Sequence, residues 1–147
     1  MKTVFDEKTR DELISRIHRL NENSTAVWGR MNVYQMLKHC TLWEEMVRSE
    51  TKYKQVLLGR LFGKMALKNL LKEGKLLPRN SPTVPSLRVR SDGDVSTEKA
   101  KWIALIAQYG DFSNPGFVHP FFGKMTREQI GYQAYMHADH HLRQFKS

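Results

Sequence analysis

The stretch Thr126–Phe145, TREQIGYQAYMHADHHLRQF, reads as one long amphipathic helix, and the rest of the chain can be organised around it. Thr126 followed by Gln129 is a capping-box pattern, so the helix is expected to open there and run to about Phe145. With His137 as zero and 100° per residue, Ile130, His141, Ala134 and Phe145 fall at roughly 20°, 40°, 60° and 80°. His137 and His141 therefore lie inside the apolar stripe, facing a core. His140 falls at about −60°, at the stripe's edge, where it is second to the other two or on the surface. Asp139, at about 200°, is expected to point to solvent.

Outward from this segment the signals are again helical. Asp6 is a plausible cap for a helix from about Glu7 to Leu20, with Leu13, Ile14, Ile17 and Leu20 on one stripe. Asn32 and Gln35 repeat the capping box and open a helix reaching about Glu50, with Met31 placed to staple onto Met36. A third helix is expected from Gln55 to Glu73, apolar at Leu57, Leu58, Leu61, Phe62, Met65, Leu70 and Leu71, with Gly74 as its stop. Pro78, Pro82, Pro85 and Gly93 make Leu76–Asp94 an extended connection with one short strand at Leu87–Arg90. A fourth helix starts near Ser96 and stops at Gly110, followed by an aromatic-rich loop, Asp111–Met125. These elements predict an all-α fold, a four-helix bundle with an extra short helix and long loops, in one domain over 1–147.

The same phase arithmetic applied to the second helix finds another inward histidine. With His39 as zero, Trp43, Met36, Met46 and Val47 fall at roughly 40°, 60°, −20° and 80°. Packing this helix beside the last one would bring His39, His137 and His141 together. Two readings then stay open. Each ring can be a core histidine bonded to a Tyr, Gln or backbone carbonyl, or the three can share a divalent metal that uses their lone pairs.

Composition sets outer limits. Lys plus Arg is 24 against 15 for Asp plus Glu, a net charge of +9 that favours an anionic partner. A single cysteine, Cys40, excludes an internal disulfide and fits a reducing compartment. The N-terminus lacks the apolar core of a signal peptide, and no run approaches spanning length, so a cytoplasmic protein without a membrane partner is expected.

The segments Trp28–Cys40, WGRMNVYQMLKHC, and His119 through HHLRQF at His140–Phe145 resemble the DinB/YfiT-like superfamily of metal-dependent four-helix-bundle proteins. The similarity spans nearly the whole chain and is nearest to an uncharacterised branch sharing the WGxMxxxQMLxHC and HHLRQF patterns. It implies that a histidine of the second helix and two of the last, here His39, His137 and His141, hold a divalent metal. Characterised members of the superfamily include S-transferases and isomerases that use glutathione, bacillithiol or mycothiol. The resemblance thus implies a metal-dependent transferase joining a low-molecular-weight thiol to an electrophile. The chain departs from many members in carrying HHLRQ where HHRGQ is common, and in its Pro-rich segment Leu76–Asp94, which would cover or reshape the site.

Zinc is the default for an all-imidazole donor set, with nickel, iron and manganese compatible. Three neutral ligands leave an open position where a thiol or water loses its proton more readily. Candidates for proton transfer are His140, His119 on the loop entering the last helix, where it would cap that helix or line the mouth of the site, and Glu50 on the His39 face. Cys40 reads as a small buried apolar residue rather than a nucleophile.

Competing readings exist. Arg60, Lys64, Lys68 and Lys72 recur every fourth residue, flanked by Lys52, Lys54 and Lys75, as in a module docking on nucleic acid or another anionic surface. No zinc-finger, helix-turn-helix or RNA-binding signature accompanies that row, so nucleic acid is not the expected partner. A metal-binding or interaction module without turnover is the other alternative, and bundles of this size often form a homodimer through a helix face.

Overall fold

Asp6, Asn32, Asp94 and Thr126 each end an extended stretch with a side chain that accepts a backbone N–H from the first turn of the following helix. Those caps open α1 (Glu7–His18), α2 (Val33–Arg48), α4 (Val95–Ala107) and α5 (Arg127–Gln144), separated in the chain by α3 (Leu57–Leu70). Each cap contributes about 1 kcal/mol. Both expected capping boxes form, because the Gln35 and Gln129 side chains return to the backbone N–H of Asn32 and Thr126. α3 follows Val56 and has no side-chain cap. These observations come from a computed structural model that describes residues 1–51, 53–72 and 74–147.

The capped helices form the bundle. α1 packs on α4 and α5, and α2 packs on the same two, so the four close into a ring. Leu13 and Ile17 of α1, Met36, Leu37 and Val47 of α2, Trp102 and Ile106 of α4, and Ile130 and Leu142 of α5 are sealed from solvent in one core. Each such side chain contributes roughly 1.5–3 kcal/mol on burial. The all-α bundle with an additional helix is thus present, and among the described residues no helix is long and apolar enough to cross a membrane.

The additional helix is α3, and it does not enter the core as its apolar pattern predicts. Only Gly59, Gly63 and Leu67 are buried. Leu57, Leu58, Leu61, Phe62 and Met65 are instead 50–74% exposed. The reason is the small-residue stripe on its other side. A Cβ at Gly59 or at Gly63 would lie 2.3 Å from the Phe121 carbonyl oxygen, so the glycines let α3 lie directly on that backbone. The expected terminus at Glu73, and Lys52 of the basic flank, lie outside the described residues.

The loop after α4 holds a two-stranded antiparallel hairpin, β1 (Val118–His119) with β2 (Gly123–Lys124), that the aromatic-rich composition concealed. The strand expected at Leu87–Arg90 is absent: Pro85 opens a single 3₁₀ turn, Pro85–Leu87, closed by the Arg88 N–H to the Pro85 carbonyl. The Pro-rich segment therefore runs as a strap across the bundle. Its far end is anchored where Asn32 donates to Asp92 and where Gly93 passes so close to Tyr34 that a Cβ would sit 2.5 Å from its ring.

Candidate metal centre

α2 and α5 are neighbours in the ring, and this packing carries His39 to His137 and His141. The ring centroids form a nearly equilateral triangle, 5.0 Å from His39 to His137, 4.8 Å from His39 to His141 and 4.7 Å from His137 to His141. One ring nitrogen from each lies within 4.8 Å of the other two. Two of them, His39 Nε2 and His137 Nε2, are 3.0 Å apart. Tetrahedral zinc with bonds of about 2.0–2.1 Å sets its nitrogens roughly 3.3 Å apart, so small side-chain adjustments suffice to seat such an ion.

Hydrogen bonds behind the rings decide which nitrogen faces the centre. His39 Nδ1 lies 2.9 Å from the Leu87 carbonyl oxygen, an acceptor only, so Nδ1 carries the proton and Nε2 presents a lone pair. His141 Nδ1 lies 2.8 Å from Gln144 Oε1, while the Gln144 amide donates to the Trp28 carbonyl. That fixes the amide's orientation, makes Nδ1 the donor, and again leaves Nε2 bare. Two imidazoles are thereby held in the tautomer a metal requires, the usual role of groups behind a ligand. His137 is clamped differently, with its ring stacked on Trp43 at 4.9 Å.

Burial keeps the rings neutral. His141 is pushed down to about 3, chiefly by loss of solvent, then by His39. His137 is driven well below the usual histidine range by burial and then by the neighbouring histidines, and His39 is lowered by burial despite its bond to Leu87. Neutral imidazoles with converging lone pairs are unfavourable as a bare cluster and favourable as a ligand set. The donor set therefore fits a divalent metal.

The other sequence candidates separate. His140 is buried beside the set, its ring 5.0 Å from that of His141 and its polar edge toward the Leu77 backbone of the strap. Its Nδ1 has no partner. His119 neither caps α5 nor lies on the surface: it sits buried in β1, where Nδ1 accepts the N–H groups of Phe121 and Phe122, each at 3.1 Å, and ties the hairpin turn. Its remaining proton is then on Nε2, and burial lowers its pKa to about 4. Glu50 does not join the site. α2 ends at Arg48 and Ser49 turns extended, so the helical phase that placed Glu50 beside His39 no longer applies, and the carboxylate is exposed.

Asp139 does not point to bulk water but bridges Arg16 of α1 and Arg143, each at 2.8 Å, pinning α5 to α1. Cys40 is fully buried against Met36, with its thiol pushed well up by burial, as befits a core residue. Sequence reasoning missed the orienting groups. Gln144 could have been found, since it stands three residues beyond His141 on the same helix side. The Leu87 carbonyl could not, because a backbone acceptor has no side-chain signature.

A ring of four helices around converging imidazoles defines a helical protein with a candidate three-histidine metal site. The family model described as "Protein of unknown function (DUF1569)" matches residues 3–147, and the chain belongs to that family. Comparison with curated proteins and with solved structures gives no match.

Proposed function

We propose that His39, His137 and His141 bind one divalent metal, with zinc the first expectation, in a centre that supports transfer of a small thiol to an electrophile. The observation that carries the metal reading is the enforced tautomer: Leu87 and Gln144 hold two separate rings so that both bare nitrogens face one point. The transferase reading rests further on the resemblance to DinB/YfiT-like proteins in the residues around His39 and His140–Phe145. When bound, such an ion supplies Lewis acidity at any open position, lowering the pKa of a thiol or water there. The chain's own residues supply orientation and a dry surround. Trp43 walls the site beside His137, and His140, next to His141, has an unpartnered ring nitrogen, Nδ1, that can take a proton.

Elemental analysis of purified protein, coupled with a screen of several thiols against a generic electrophile, tests this reading. The expected result is about one metal per chain and metal-dependent conjugation of at least one thiol. Metal without conjugation sinks the transferase and leaves the centre. No metal at neutral pH sinks both.

A second reading, a closed metal centre without turnover, is favoured by one observation. His39 and His141 are nearly sealed from solvent, and the strap meets His39 through the Leu87 carbonyl and the neighbouring His140 through the Leu77 backbone. Loss of fold stability on metal removal, with no conjugation at any thiol, is the outcome that selects it.

A further inference from the structure

We propose that α3 docks the protein on an anionic lipid surface, lying in the headgroup region without spanning the bilayer. The residues that a core helix would bury are here outside. Leu57, Leu61, Met65, Leu58 and Phe62 occupy one continuous arc of about 140° at 100° per residue, and all five are at least half exposed. Val56, just before the helix, is 49% exposed. On the same scale Arg60 and Lys64 lie at about −60° and −20°, on one edge of the arc, Lys68 falls at about 20° near its C-terminal end, and Lys72 follows the helix; all four are exposed. From Thr51 to Lys72 the sequence contains six Lys or Arg and no Asp or Glu.

That combination selects the partner by charge. A second copy of the chain would bring the same cations alongside with no acid on the helix to pair them. An anionic lipid surface supplies phosphate and carboxylate groups for the basic edge and an acyl boundary for the apolar arc, as for other interfacial helices. The seating of α3 suits this placement. Its glycine side rests on the Phe121 backbone, which turns the apolar arc outward, and Gln55 bonds both the Gly59 and Phe121 carbonyls to hold it there. The 14 residues of α3 suit lying along an interface rather than crossing one.

The test uses the full-length protein and vesicles of neutral phosphatidylcholine, with and without a third of phosphatidylglycerol. Leu61→Cys labelled with an environment-sensitive dye reports the contact directly, since Cys40 is buried and the new thiol is the accessible one. The proposal expects co-sedimentation with the anionic vesicles, weakening as salt rises, and a blue shift of the dye. Each cation near such a surface contributes about fivefold in partitioning, so Arg60→Gln with Lys68→Gln and Lys72→Gln lowers it about 100-fold. Leu58→Gln lowers it about tenfold without changing the far-ultraviolet circular dichroism of the free protein. Equal binding to neutral vesicles, no binding at low salt, or binding without a dye shift overturns the proposal. So does a dimer in solution that Leu58→Gln dissociates, which would assign the face to a second copy.

Discussion

His39 Nε2 lies 3.0 Å from His137 Nε2 across 98 positions of sequence. Since Nδ1 of His39 is committed to the Leu87 carbonyl, this contact is between a bare lone pair and a second imidazole edge. It is the point where the two halves of the bundle meet chemically.

Removing any one of His39, His137 or His141 by substitution to Ala is expected to cut bound metal at least tenfold, whereas His140→Ala lowers it only slightly. Metal content by elemental analysis after dialysis makes the comparison. Equal losses from all four variants would show that His140, not only its three neighbours, is a ligand.

Gln144→Leu keeps side-chain volume but removes the acceptor for His141 Nδ1 and the donor to Trp28. Metal affinity is expected to fall 10–100-fold with the fold retained. Competition against a chromophoric chelator measures this, and unchanged affinity would show that Gln144 does not set the tautomer.

Acid should weaken the metal-free protein well before its carboxylates titrate. His141 and His119 are lowered to about 3 and about 4, from an ordinary value of 6.5. Between those values and 6.5 the unfolded chain binds protons that the native state refuses. Stability is therefore full above pH about 6.5 and falls as pH drops, by up to about 1.4 kcal/mol per pH unit for each group. Urea midpoints at pH 7, 6 and 5 with chelator present should decline in step. A flat profile would mean these rings are not buried neutral.

Gly63→Ala opposes two effects of known sign. Helix propensity alone favours alanine by about 1 kcal/mol. The added Cβ would meet the Phe121 carbonyl oxygen at 2.3 Å, and overpacking of that kind costs about 1–3 kcal/mol. Net destabilisation, or detachment of α3 seen as faster amide exchange over Leu57–Leu70, is expected; a rise in Tm would show that the helix does not rest on that backbone.

Arg48→Met should be among the most damaging changes away from the histidines. Glu44 is buried, its pKa raised by desolvation and held back chiefly by Arg48, whose guanidinium lies 2.8 Å from Oε2. The Tyr109 hydroxyl also donates to that carboxylate, at 2.5 Å. Stripping the cation leaves a buried acid half satisfied, at a cost of about 3–5 kcal/mol by chemical denaturation at pH 7. A loss below about 1 kcal/mol would mean the carboxyl is already protonated in the native protein.

Side-chain periodicity and capping chemistry made most of this architecture legible. Asp6, Asn32 and Thr126 announced their helices because the cap is written in the side chain, and His39, His137 and His141 converged because helical phase survives into the bundle. Helical phase misleads in two ways: Glu50 lies past the end of α2, where the phase no longer applies, and Asp139, within α5, meets Arg16 of another helix, a partner that the phase of one helix does not show. α3 shows a deeper ambiguity: an apolar stripe says that a face must be covered, not by what, and Gly59 and Gly63 turned the opposite side inward. The hairpin holding His119 arises from backbone pairing in a loop whose aromatic composition carries no period.

The strap through Leu77 and Leu87 has a kinetic consequence. Because the carbonyl that orients His39 belongs to the covering segment, the lid and the binding geometry form together. Lifting the segment would free the His39 ring as it opens the site, so the rate of ion loss and the affinity would change together. A longer strap that withdraws the Leu87 carbonyl from His39 Nδ1 would then speed exchange and lower affinity together, although the same three histidines remain.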